Sequence, residues 1–152
     1  MRAPLYLWRY VENRRPLNFA QESGVPPPKV TRVKPAAKGS VLQYRLRVMH
    51  KGEIALGPGK ADLLAAIQEH GSISKGAKSL GMSYMRAWTL VRVMNRTFRG
   101  PLVEKERGGA TGGVARLTPL GKEVLAIYSD LVEESRAACR KSWTKLQTRL
   151  KK

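Results

Sequence analysis

The amino-acid sequence predicts a mainly α protein with small β hairpins and a long C-terminal helix. Two short apolar patterns of helical period lie on either side of Gly81. Apolar and polar residues alternate over residues 42–48, which is typical of a half-buried strand. A further helical pattern begins at Thr118 and continues nearly to the C-terminus.

Length and charge favour one domain that binds a polyanion. A chain of 152 residues has room for one compact domain with appendages. Its 29 Lys and Arg residues outnumber 11 Asp and Glu residues, for a formal net charge of +18. The excess is positive in each of the segments 1–58, 59–118 and 119–152. Nucleic acid is the expected partner, and a solvated basic surface without a specific partner is the alternative.

Several classes of protein are disfavoured. Cys139 is the only cysteine, so an intrachain disulfide is excluded, and we expect this thiol to pack as a small apolar side chain. His50 and His70 lie far from other ligands, so no metal or cofactor is predicted. No apolar run is long enough to span a membrane. A cytoplasmic, nucleoid-associated protein without membrane contact is the expectation.

The chain divides into three predicted parts. Residues 1–40 contain most of the prolines and several basic residues without a sustained period, which indicates a partly disordered arm. Residues 41–128 form the predicted domain. Residues 129–152 form a helical extension, which we expect to be a dimerisation element.

The domain begins with a predicted hairpin and a helix. In "VLQYRLRVMHKGEIAL" four apolar residues, Leu42, Tyr44, Leu46 and Val48, alternate with polar ones. The turn-like "HKGE" leads to a second apolar piece, residues 54–56. After "GPG", residues 60–70 have a helical apolar face and Gly71 as a natural terminator.

A pair of helices follows, joined at Gly81. Ser72 is a good N-cap for the first helix, and Ser83 is a good N-cap for the second. The second helix is expected to run to about Arg99, with Tyr84, Ala87, Trp88, Val91, Asn95 and Phe98 on its packing side. The interior of the pair is expected to contain Leu80, Met82, Ala87 and Leu90.

Two strand-like pieces around a glycine-rich loop come next, and then the last helix. The glycines of "GGATGG" permit a hairpin tip but no phosphate cradle, because no P-loop Lys-Ser/Thr pair follows. Thr118 and Pro119 are suited to the start of a helix. The apolar positions of this helix form no strict heptad, which favours packing on the domain near its start and on a partner near its end. These positions are Leu120, Val124, Ile127, Leu131, Cys139, Trp143, Leu146 and Leu150.

This order of elements is that of a winged helix-turn-helix, whose second helix of the pair enters the major groove of DNA. The predicted outward face of that helix has no acidic residue and consists of Met85, Arg86, Thr89, Val93 and Arg96, with Arg92 and Arg99 at its edge. Arg86 is the candidate for hydrogen bonding to the edge of a guanine base. Ser83 and Tyr84 are the candidates for binding a phosphate at the start of the helix.

The remaining candidate residues are expected to contact the DNA backbone. Arg92 and Arg96 are expected to contact phosphates, together with the wing residues Lys105, Arg107 and Arg116. The alternative for each residue is structural: Ser83 only caps, Tyr84 only packs, and the cations are only solvated. No nucleophile with a base and no paired carboxylates are found, so an enzyme is not predicted.

Residues 43–128 resemble the N-terminal DNA-binding domain of the ModE-type, LysR-like, molybdate-responsive regulators. The segments "GSISKGAKSLGMSYMRAW", "MNRTF" and "GGATGGVARLTPLGKEVL" carry the resemblance. It implies a homodimer that binds a palindromic operator in double-stranded DNA through the helix after Ser83. It also implies control of genes of molybdate transport or molybdenum metabolism.

Full-length members of this family carry C-terminal molybdate-binding domains, whereas this sequence ends soon after Tyr128 in a basic helix. Molybdate binding is therefore not expected from these residues. A DNA-binding or architectural protein without sequence preference or effector response is the alternative function.

Overall fold

The computed structural model describes residues 40–106 and 113–151. Two antiparallel hairpins and four helices occur in these residues: β1 (Val48–His50), β2 (Glu53–Leu56), α1 (Pro58–His70), α2 (Ile73–Ser79), α3 (Tyr84–Thr97), β3 (Val103–Glu106), β4 (Val114–Leu117) and α4 (Pro119–Gln147). The predicted mainly α architecture with small hairpins and a long C-terminal helix is confirmed. Residues 1–39, including most of the predicted arm, lie outside the described part of the chain.

The first hairpin is shorter than the sequence predicts. β1 pairs with β2 through a two-residue turn in which Lys51 (φ 49°) and Gly52 (φ 80°) are both left-handed. Residues 42–47 form no strand, although Leu42, Tyr44 and Leu46 are half-buried and alternate with exposed residues. The alternation arises because this extended segment packs along α4 rather than against another strand.

Helix α1 lies at the centre of the core. It contacts α2, α3, α4 and β4, and Leu63, Leu64 and Ile67 are completely buried. Gly71 ends the helix in the left-handed conformation (φ 63°), and its N–H donates to the Ile67 carbonyl oxygen at 2.9 Å. The predicted terminator is confirmed, because this positive φ is accessible to glycine at no steric cost.

The face that α3 buries is rotated relative to the prediction. Its buried residues are Ala87, Val91 and Met94, and Met94 is absent from the predicted packing set. Tyr84 is 47% exposed, so the prediction that it packs is wrong, and Val93 is half-buried rather than outward. Leu80, expected in the interior, is 36% exposed because it ends α2 just before Gly81 (φ 65°) turns the chain.

The boundaries of α3 are set by local capping. The Ser83 side chain accepts a hydrogen bond from the Arg86 backbone N–H at 3.3 Å, as the N-cap prediction requires. The helix ends at Thr97, two residues before the predicted end, because Phe98 is extended (φ −88°, ψ 164°).

The second hairpin is fastened to the helices at its base. β3 and β4 pair with Val103 opposite Leu117 and Lys105 opposite Ala115. The backbone N–H of Ala115 donates to the Gly71 carbonyl oxygen at 2.9 Å, which ties β4 to the turn between α1 and α2. We refer to this hairpin as the wing.

Helix α4 begins where the sequence predicts but buries a different face. The Thr118 hydroxyl accepts from the Gly121 N–H at 2.9 Å and donates to the Pro101 carbonyl oxygen at 2.7 Å. The buried face consists of Gly121, Leu125, Tyr128, Ser129 and Val132. The predicted apolar positions Ile127 and Leu131 are 52% and 43% exposed instead.

Cys139 is also exposed, which contradicts its predicted packing, because the helix has by then passed beyond the domain core. It lies near Tyr44 of the extended segment, whose pKa is raised by burial first and by this thiol second. None of the helices in the described residues is long and apolar enough to cross a membrane.

The extended segment is anchored to α4 by Tyr128, which gives a pH prediction. The Tyr128 hydroxyl donates to the Leu46 carbonyl oxygen at 2.9 Å, and burial, then the nearby charge of Asp62, raises its pKa above 10.0. Tyr128→Phe is expected to lower the free energy of unfolding at pH 7 by about 1 kcal/mol. The difference from the unsubstituted chain should shrink as the pH rises above 10.0, because the unfolded chain then loses the hydroxyl proton while the folded chain keeps it until the pH passes its raised pKa.

Urea unfolding of both chains between pH 7 and pH 11 would measure this difference. Burial lowers the pKa of Lys60, so that group alone adds stability as the pH rises toward 10.5, but it is common to both chains and cancels. A difference that stays constant across this range would contradict the assignment.

Candidate nucleic-acid interface

The exposed surface of α3 is cationic and contains no acidic residue. Tyr84 and Met85 are 47% and 66% exposed in the first turn, and Arg86 is exposed directly after them. No Asp or Glu occurs in the helix sequence YMRAWTLVRVMNRT. Thr89 is exposed as well, and its hydroxyl donates to the Met85 carbonyl oxygen at 2.9 Å. The face has the composition and exposure that major-groove contact requires.

The start of α3 has backbone N–H groups beyond the one that Ser83 satisfies. Because the first turn of a helix has free N–H groups and a positive dipole end, it suits an anion. Ser83 is exposed and acts as the cap, so its structural role is established. A phosphate contact by Ser83 or Tyr84 stays a prediction.

Arg96, a predicted phosphate contact on α3, forms an ion pair with an acidic residue. Its Nη2 lies 3.1 Å from Glu53 Oε2 of β2, and the two side chains are 55% and 60% exposed. An exposed ion pair of this kind adds little stability, since solvent screens it. The guanidinium therefore remains able to exchange Glu53 for a phosphate oxygen.

Trp88 lies between α3 and the wing. The Arg92 guanidinium carbon and the Lys105 ammonium nitrogen each lie 5.3 Å from the centre of its ring. Two of the predicted phosphate contacts, one from the helix and one from β3, are thereby placed on a single half-buried side chain. In the sequence, Trp88 has only the helical spacing of a packing residue.

Asn95 attaches α3 to the start of the wing, at the other end of the contact between the helix and β3. Its Oδ1 accepts from the backbone N–H groups of Leu102 and Val103 at 2.9 Å and 3.1 Å. Its Nδ2 donates to the Val103 carbonyl oxygen at 2.8 Å. One side chain thus holds the start of the wing against α3, and only its place on the packing side of the helix was visible in the sequence.

The wing contributes the remaining cations. Lys105 and Arg116 are exposed on β3 and β4, and Arg116 lies opposite Glu104 in the strand register. Arg107 lies outside the described residues. Lys75 and Lys78 on α2 are exposed too. They are absent from the predicted site, although their spacing of three residues puts them near one face of a helix.

A family model and several known proteins match part of this chain. Residues 60–122 match the family model described as bacterial regulatory helix-turn-helix protein, lysR family. The molybdenum-pterin-binding protein MopA of Rhodobacter capsulatus is 41% identical over 81 residues, 53% of this chain and 31% of MopA.

Two relatives are named for transport or regulation. The molybdenum transport protein ModE of Herbaspirillum seropedicae is 36% identical over 97 residues, 64% of this chain and 35% of that protein. The DNA-binding transcriptional dual regulator ModE of Escherichia coli K12 is 41% identical over 76 residues, 50% of this chain and 29% of that protein. The chain spans about a third of the length of these relatives.

The matched region coincides with the elements described above. It begins at Lys60 in α1, includes α2, α3 and both wing strands, and ends in the first turn of α4. Residues 60–122 therefore match a bacterial regulatory helix-turn-helix domain of the lysR family, and with the wing they form a winged helix-turn-helix that is similar to the matched parts of the ModE relatives.

Proposed function

We propose that the chain is a sequence-specific transcriptional regulator of the ModE type, which binds double-stranded DNA with α3 in the major groove. The acid-free, exposed face of α3 is the observation that carries this proposal. The wing supports it, because β3 presents Lys105 next to that face through Trp88. The names of the relatives favour genes of molybdenum transport or metabolism as targets.

The exposed side chains divide into base contacts and backbone contacts. Arg86, in the first turn of α3, has the planar fork that fits the two acceptors of a guanine edge. Met85 offers apolar surface of the kind that contacts a thymine methyl group, and the Tyr84 hydroxyl is proposed to contact a phosphate. The remaining residues are proposed phosphate contacts: Ser83, Thr89, Arg92, Arg96, Lys105, Arg107 and Arg116. Exposed Lys75 and Lys78 extend this group, because the first helix of the pair crosses the DNA backbone in this motif.

One titration tests the proposal against its alternative. The full chain is footprinted on the DNA upstream of its own gene, and a protected site is then compared with a scrambled duplex of equal composition. A sequence-specific regulator is expected to bind the site at least about a thousandfold more tightly at physiological salt. Equal affinities with a steep salt dependence would instead show an architectural protein, which the positive charge in every segment would then explain.

Arg86 gives the sharpest prediction at the level of one residue. Arg86→Ala is expected to cost about 1 to 3 kcal/mol on the specific site and to relax base preference at one position in each half-site. Arg92→Ala is the matched comparison, because it removes the same charge from the same helix and should weaken all duplexes about equally. Affinity measurements on a set of single-base variants would separate these outcomes, and uniform weakening by Arg86→Ala would make it a phosphate contact.

We also propose that the chain acts as a homodimer through α4. Ile127 and Leu131 lie one turn apart and are 52% and 43% exposed, so they form an apolar stripe that the described residues of one copy leave uncovered. Leu131→Glu is expected to produce a monomer, measured by analytical ultracentrifugation, because it would bury a charge in the interface. Ala126→Glu adds the same charge to another exposed face of α4 and should leave the dimer intact. A dimer that survives Leu131→Glu would place the interface elsewhere.

A further inference from the structure

Trp88 connects cations from two separate elements. Arg92 follows it by one turn of α3, whereas Lys105 belongs to β3, and each charged group lies 5.3 Å from the ring centre. Both distances are within the range in which the face of an indole attracts a cation. Trp88 is half-buried, so solvent weakens these contacts less than it would on an open surface.

This arrangement matters because Lys105 would otherwise be poorly placed. A lysine has a flexible four-carbon stem and loses considerable rotamer freedom when it binds a phosphate. A ring contact restricts that freedom before DNA arrives, which lowers the cost of binding. Arg92 is restricted in the same way, and the two charges are at most twice the ring distance apart, since they share one ring.

The contact also fixes the wing relative to the recognition helix. Asn95 holds Leu102 and Val103 at one end of the seam between α3 and β3. Trp88 precedes Asn95 by two turns of α3, and Lys105 follows Val103 by two residues in β3. The contact between Trp88 and Lys105 is therefore a second attachment of the wing to the helix. Contacts at two separate points prevent the wing from pivoting about the first.

We propose that Trp88 is a positioning residue of the DNA interface: its indole holds Lys105 of the wing and Arg92 of α3 in fixed places, so that helix and wing contact the DNA backbone as one unit. The inference rests on the proposed function, because it concerns how the same surface meets DNA. A Trp88 that only fills space makes a different prediction. Its loss would lower stability but would leave the contributions of Lys105 and Arg92 to DNA binding unchanged.

A double-mutant cycle in the full chain distinguishes the two roles. Lys105→Met is measured in the native background and with Trp88→Leu, which removes the ring and keeps apolar bulk, on one duplex over a series of salt concentrations. In the native background Lys105→Met is expected to weaken binding about fivefold and to lower the salt slope by about one. With Trp88→Leu, the same substitution should have less than half of that effect in logarithmic terms.

Two further variants keep the test decisive. Trp88→Phe retains an aromatic face and should restore most of the Lys105 effect, and it replaces Trp88→Leu in the cycle if that chain does not fold. Arg86→Ala, which alters a cation without a contact to this ring, should add independently to Trp88→Leu.

The outcomes separate the inference from the function on which it rests. A native chain that binds no duplex would overturn the proposed function. A chain that binds, but in which Lys105→Met has the same effect with and without the indole, would overturn the positioning role of Trp88 and leave the function standing.

Discussion

Gly121→Ala is expected to lower the free energy of unfolding by about 3 kcal/mol or more. Gly121 is buried in the first turn of α4, and a methyl group there would overlap the Leu102 backbone, with its carbonyl carbon at only 2.9 Å. A backbone group cannot rotate away as a side chain can. Leu102 itself is completely buried, and its carbonyl oxygen accepts from the Thr118 N–H at 3.0 Å, so movement there would disturb the cap of α4.

Gly59 provides the matched control. It also lies in the first turn of a helix that begins with proline, but a methyl group at this position would have no atom within 4 Å. Gly59→Ala is therefore expected to stabilise the chain by about 0.5 to 1 kcal/mol, because alanine loses less backbone entropy on folding. Urea unfolding of the two variants should move the midpoints in opposite directions. A neutral Gly121→Ala would show that α4 and Leu102 are not in close contact.

The parts of the fold that local chemistry determines could be predicted from the sequence. Gly71 and Gly81 end or turn helices because they adopt positive φ, and Thr118 with Pro119 starts α4 through a cap and a preset φ. These signals act within a few residues, so no knowledge of distant contacts is required. The order of elements, and from it the winged helix-turn-helix, followed from them.

The parts of the fold that depend on tertiary contacts could not be predicted from the sequence. The periodicity of α3 could not define which arc is buried, because Met94 and Tyr84 are both apolar enough to pack and only the neighbours of the helix decide. In α4, Tyr128 forms a hydrogen bond with Leu46 of the extended segment, which lies more than 80 residues earlier in the chain. Such a pairing leaves no local pattern.

The candidate interface shows the same division. Exposed cations on α3 and in the wing were predictable, since a helix without acidic residues in a basic chain has few other uses. The role of Trp88 was not, because its partner Lys105 comes from the next element and their contact depends on the angle between α3 and β3. Residues that connect elements look like ordinary packing residues in a sequence.

Asn95 gives the second large prediction, because three backbone groups of the next element depend on one amide. Asn95→Ala would leave the N–H groups of Leu102 and Val103 and the Val103 carbonyl oxygen without this partner. Leu102 and Val103 are buried, so water reaches these groups poorly. The expected loss is about 2 to 4 kcal/mol, since each unsatisfied buried group costs about 1 kcal/mol or more.

The measurement should resolve individual residues as well as total stability. Amide exchange at Leu102 and Val103 is expected to accelerate more than exchange in α1, because the base of the wing loses its attachment while the core helix keeps its own bonds. Thr97→Ala is the control in the same helix: its hydroxyl bonds only the Val93 carbonyl oxygen at 2.7 Å, so little change is expected.

Unchanged exchange at both amides would mean that Asn95 does not hold the wing. If exchange accelerates as expected, DNA affinity should fall together with it, because a wing free to pivot at its base presents Lys105 less often in the place where the ring of Trp88 holds it.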